Sequence, residues 1–119
     1  MSDRYGSGRN LLFAAIDSLG VNGDIQLIAA PASPLQIKIV SIVLTSNNTQ
    51  DIVLKSGSTA LTGIIPLMNS GSNNIVIQGL PTAHVFECAV AEAFVMNLSN
   101  TNSVGGHVSY YLERPVVYT

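Results

Sequence analysis

The side chains able to do chemistry are few, and they are scattered along the chain. There are two histidines, His84 and His107, and one cysteine, Cys88. A zinc-type site draws three or four ligands from His, Cys, Asp and Glu at close spacing. Neither histidine has an acidic or cysteine partner at ligand spacing, so no metal is expected. Cys88 sits in an alternating stretch between Phe86 and Val90, the setting of a small buried apolar residue. A nucleophilic thiolate would need a nearby base or a helix N-terminus, and the sequence offers neither. The acids are Asp3, Asp17, Asp24, Asp51, Glu87, Glu92 and Glu113. Glycosidase-type chemistry needs two carboxylates facing across a site, whereas these are spread mostly one per strand or turn and read as solvated surface. No Gly-x-Ser-x-Gly elbow, phosphate loop or Gly-x-Gly-x-x-Gly turn is present. The expectation is a protein with no catalytic residue, no cofactor and no metal, and not an enzyme.

Binding modes narrow in the same way. The net charge is -2, from five Lys and Arg against seven Asp and Glu. Nucleic-acid binding needs a basic footprint to neutralise phosphates, and this chain lacks one. No apolar run approaches the roughly 20 residues that span a bilayer, so no membrane partner is expected. Stacking on sugars favours an aromatic platform. The chain has no Trp, and Phe13, Phe86, Phe94 and Tyr110 fall on expected core faces, which leaves Tyr5, Tyr111 and Tyr118 too dispersed to form one. Two glycosylation sequons begin at Asn47 and Asn97, but no apolar leader accompanies the polar N-terminus. Synthesis in a reducing cytosol is expected, and the lone cysteine permits no intrachain disulfide.

What would position these residues is a series of short strands. Residues 11–19, 24–30, 35–46, 51–56, 59–65, 75–78, 85–90, 93–99 and 106–113 each read as a strand, separated by Gly, Pro, Asn and Ser. Residues 12–19 would also tolerate a helix but lack a cap, and strand is the better reading. In residues 51–56, Ile52 and Leu54 share one face opposite Asp51, Val53 and Lys55. In the last strand, Val108, Tyr110 and Leu112 alternate with His107, Ser109, Tyr111 and Glu113. Gly57-Ser58 marks a tight turn, and Gly105-Gly106 a turn or bulge. Eight or nine short strands at regular spacing predict an all-β, antiparallel sandwich or barrel.

The length of 119 residues fits one domain with a real core. Residues 11–115 form the expected β-domain. Residues 1–10 (MSDRYGSGRN) read as a flexible arm in which Arg4, Tyr5 and Arg9 are the groups able to bind, the alternative being a terminus without a role. Residues 116–119 read as a short apolar tail that either adds to a neighbour's sheet edge or folds onto its own domain. Hydrophobic residues make up 47% of the chain and charged residues 10%, against about 25% in a typical soluble domain. So little charge predicts an oligomer or lattice component that hides much of its surface in partners.

Residues 39–63, IVSIVLTSNNTQDIVLKSGSTALTG, run strand, polar loop, strand, Ser-Gly turn, Thr-Ala-Leu-Thr-Gly. Residues 86–113 repeat the texture, with FECAVAEAFVMNLSN, a loop and GGHVSYYLE. In this the chain resembles the small jelly-roll proteins of tailed bacteriophages, capsid decoration (cement) proteins among them. The resemblance implies a jelly-roll β-sandwich. It implies a homotrimer on the outer surface of the virion, with the major capsid protein as partner, clamping neighbouring capsid subunits against the pressure of packed DNA. The arm with Arg4, Tyr5 and Arg9 would supply reach. The alternative within the same resemblance is a tail-fibre, spike or receptor-binding module.

Overall fold

The computed structural model describes residues 10–18, 22–67, 74–80 and 83–115. These contain ten strands and no helix. In chain order they are β1 (Leu12–Ser18), β2 (Gly23–Ile28), β3 (Gln36–Ser46), β4 (Gln50–Ser56), β5 (Thr59–Ala60), β6 (Ile65–Leu67), β7 (Asn74–Gln78), β8 (Phe86–Glu87), β9 (Phe94–Leu98) and β10 (Val104–Glu113).

Two antiparallel sheets face each other. The first has the order β1-β10-β3-β7, with β8 following β7 along the same edge of β3. The second has the order β2-β9-β4-β5, with β6 sharing that edge of β4. The chain switches sheets between β1 and β2, β2 and β3, β3 and β4, β6 and β7, β8 and β9, and β9 and β10. Two antiparallel sheets wound by such alternation form a jelly roll, which is the expected fold class. The strand count differs from expectation because residues 59–65 bend at 61–64 and divide into β5 and β6. Residues 85–90 likewise keep only Phe86–Glu87 as strand.

The core lies between the sheets. From the first come Ile16, Ile37, Ile39, Ile42, Leu44, Val104 and Val108; from the second, Ile28, Ile52, Leu54, Phe94, Met96 and Leu98. Alternation explains most of this: in β4, Ile52 and Leu54 are buried while Asp51 is exposed. In β3 the core phase slips from Ile37 and Ile39 to Ile42 and Leu44. Tyr110 pairs with Ile39 and Ser109 with Ser41, so Val40 is an extra, bulged residue. The bulge accounts for the run in β3 that looks apolar throughout.

Gly106 answers the expectation of a turn or bulge at 105–106 differently. It lies inside β10 opposite Leu44, with φ at 145°. A Cβ there would lie 1.8 Å from the Val43 carbonyl oxygen, so β3 and β10 approach as closely as they do because residue 106 has no side chain. At the far end of the sandwich, two polar loops are laced together. Asn102 Nδ2 donates to the Thr49 carbonyl (2.7 Å) and the Ser103 amide to Asn47 Oδ1 (2.9 Å).

Candidate interaction surfaces

Several of the residues with chemical potential are buried or tied into structural pairs. Cys88 is fully buried in the core, as its sequence setting suggested, and burial pushes its thiol up to about 11. His84 does have an acidic partner after all: its Nε2 lies 3.2 Å from Glu87 Oε1, three positions on, and its Nδ1 lies 3.3 Å from the Tyr111 hydroxyl. Glu87 also lies 3.5 Å from Lys38 Nζ. His107 is exposed on β10, so the two histidines serve different surroundings. Among the described residues, no group of three or more His, Cys, Asp and Glu is placed to hold a metal ion.

At one end of the sandwich a cavity of about 370 Å³ opens among Gln36, Ser56, Leu61, Glu87, Ala89 and Glu92. Its two carboxylates are engaged. Ser56 donates to Glu92 Oε1 at 2.7 Å, and Glu87 faces Lys38 and His84. The Ser56 hydroxyl itself accepts from the Ala89 amide (2.9 Å), and Gln36 Nε2 donates to the Cys88 carbonyl (2.8 Å). These bonds join β3, β4 and the segment after β8, and they spend on packing the groups that an acid–base site would need free.

The two outer faces differ in character. On the second sheet, Asp24 of β2 accepts from Asn97 Nδ2 (2.8 Å) and Lys55 Nζ (3.1 Å), and Asp51 is exposed nearby on β4. The Asn97 hydrogen bond first, and then Lys55, hold the Asp24 carboxyl below the usual carboxylate range. On the first sheet, cross-strand register places Phe13 beside Ser109, and Ser109 beside Ser41 and then Gln78. The next row runs Ala15, His107, Val43, Val76. These two rows hold no Asp, Glu, Lys or Arg, and Phe13 and Val76 are 68% and 61% exposed.

This corrects two aromatic assignments. Phe13, expected in the core, faces out, because Ile16 of β1 points inward and Phe13, Ala15 and Asp17 take the other face. Tyr111, expected at the surface, is 1% exposed. It lies on the outer side of the first sheet beside Lys38, beneath His84. Phe94 is buried and Phe86 and Tyr110 pack against the core, as expected. Arg4, Tyr5, Arg9 and Tyr118 lie outside the described residues. The features that sequence reasoning missed are the two uncharged rows on the outer face of the first sheet and the Lys38 cluster. The signal for the first was the four-residue spacing of Phe13 and Asp17, which puts an aromatic and an acid on the same strand face.

No protein-family model matches the chain, and no curated protein matches it. Among solved structures, its fold is similar to that of a chain in the acidic stable capsid of Helicobacter pylori bacteriophage KHP30. The TM-score is 0.56 at 14% identity, covering 91% of this chain and 94% of that one. A chain of the virus-like particle of the giant freshwater prawn Macrobrachium rosenbergii extra small virus is similar at a TM-score of 0.43 and 16% identity, covering 87% and 79%. At 14% identity the likeness to the first of these is one of fold, an all-β jelly roll.

Proposed function

We propose that this chain is a structural virion protein, a capsid decoration (cement) protein. In this reading it sits as a homotrimer on the outside of a phage head and fastens neighbouring major capsid subunits. The observation that carries the reading is the end-to-end likeness to a chain of a phage capsid, with 91% and 94% of the two chains superposed. Such coverage means that the likeness runs over nearly the whole of both chains. The physical design suits the task. The body is stiff, with both sheets closed over one apolar core, and Cys88, His84, Glu87 and Glu92 are engaged in packing and pairing. Two cross-strand rows on one outer face carry no Asp, Glu, Lys or Arg and are partly apolar, the composition of a surface that becomes buried in a partner.

Residues 1–10, with Arg4, Tyr5 and Arg9, serve in this reading as an arm that reaches onto the shell. The test is co-sedimentation of the purified protein with heads that lack it. Saturable binding to a lattice-like number of sites is expected, together with greater resistance of the heads to heat. Deleting residues 1–10 weakens attachment and leaves the thermal unfolding of the β-domain unchanged. No binding to heads would reject the capsid reading, and full binding by the truncated chain would reject the role of the arm.

A further inference from the structure

The two sheets treat their edges differently. Proteins keep edge strands from pairing with charge, proline, bulges and short or broken strands. The second sheet has all of these. Its β2 edge carries Asp24, ion-paired to Lys55, and a register shift between Gln26 and Ile28. Its other edge is divided into the two-residue β5 and the three-residue β6, with Pro66 inside β6. The first sheet has fewer: its β3 edge also divides, into β7 and the two-residue β8 with Glu87, but β7 and β1 themselves stand open. Its β7 edge, NIVIQ, carries no charge and no proline and keeps an unbroken register with β3. Its β1 edge, LFAAIDS, runs seven residues in unbroken register with β10, and its one charge, Asp17, stands near the end. Among the described residues, no strand covers the outer side of β1 or β7.

Strand direction supplies the partner. Every neighbour in the order β1-β10-β3-β7 is antiparallel, so β1 and β7 run in opposite directions. A second copy placed beside the first in the same orientation therefore sets its β1 antiparallel to β7 and continues the sheet. Phe13 and Ala15 of one copy then lie on the same outer face as Val76 of the other, forming an apolar cross-strand patch with no like charges opposed.

We propose that the chain self-associates head to tail through the first sheet, β7 of one copy pairing with β1 of the next. The contact is heterologous: a rotation between successive copies closes it into a ring, and without one it would run on as an open filament. It deepens the homotrimer of the proposed function and rests on that reading only for the number of copies at closure.

The test uses Phe13→Cys/Val76→Cys and Ala15→Cys/Val76→Cys double variants of the full chain and a short bismaleimide. Within one chain these positions lie three strand spacings apart, about 14 Å, beyond a short linker's reach. Cys88 is fully buried and stays silent, which the unsubstituted chain verifies. At least one double variant is expected to give a covalent ladder that stops at a closed ring, while the Phe13→Cys, Ala15→Cys and Val76→Cys single variants give none. Val76→Lys, at an exposed position, is expected to leave a folded monomer. The proposal is overturned if the unsubstituted chain is monomeric at micromolar concentration. Linked dimers from Val76→Cys alone, or an oligomer that neither double variant crosslinks, would also overturn it. Head binding is measured separately: a chain that crosslinks but ignores heads refutes the capsid reading and leaves the edge contact standing. One that binds heads without crosslinking refutes the edge contact alone.

Discussion

Lys38 Nζ lies 3.2 Å from Glu113 Oε1, on a lysine that is only 5% exposed. The pairing crosses three strands, since Lys38 of β3 lies between Tyr111 on β10 and Glu87 on β8, and Glu87 is its second carboxylate. Lys38→Met keeps most of the apolar stem and removes the cation, leaving two carboxylates near each other. Both are partly exposed, so the expected cost is about 1–2 kcal/mol, below the roughly 3–5 kcal/mol of breaking a fully buried pair. Lys38→Glu should cost more, because three carboxylates would then crowd one site. Urea unfolding checks this: the midpoint falls in that order with the slope unchanged.

Gly106→Ala should be among the most damaging single changes. The new Cβ would meet the Val43 carbonyl oxygen at 1.8 Å, and the backbone at φ 145° disfavours any side chain. A loss of at least about 3 kcal/mol is expected, from strain and a displaced strand together. Gly63→Ala is the control. It has open space around it, so its effect should stay within about 1 kcal/mol. Thermal unfolding of the two variants separates them.

Asp24 provides a pH signature. Its folded carboxyl titrates below the ordinary value, so its contribution to stability is complete above the unfolded-state value and is lost as pH falls through the folded one. A carboxyl-carbon NMR titration should find its midpoint below that of an unstructured Asp. Asn97→Ala and Lys55→Met should each raise that midpoint, because the Asn97 hydrogen bond, and the hydrogen bond and charge of Lys55, all lower it.

Cys88 should not react with a thiol reagent at neutral pH while the protein is folded. Its thiol is pushed up to about 11 by burial in the core. Labelling should appear with the unfolding transition and track it through denaturant. Fast labelling of the folded protein would contradict its place in the core.

The strands and most of their faces were legible in the sequence because they follow local alternation. Ile52 and Leu54 in β4 are the plainest case, with Val108 in β10. Three things were not legible, each for a non-local reason. The bulge at Val40 depends on how β10 pairs with β3, so an apolar run hid the phase change. Tyr111 is buried on what looks like an open face because His84 arrives from a distant loop. The contrast between guarded and open edges required the strand order, which joins β1 to β10 from opposite ends of the domain. Of the candidate chemistry, the burial of Cys88 could be read from its neighbours. The His84–Glu87 pair could not be singled out, since spacing alone does not separate it from a solvated turn.

The most direct test of the central claim is the copy number of this chain per purified particle, by quantitative mass spectrometry against the major capsid protein. A shell protein predicts a ratio near one to one, or another fraction set by the lattice. A handful of copies per particle would contradict the decoration reading and move the chain to the tail or a vertex spike, and complete absence from particles would contradict a structural role in the virion.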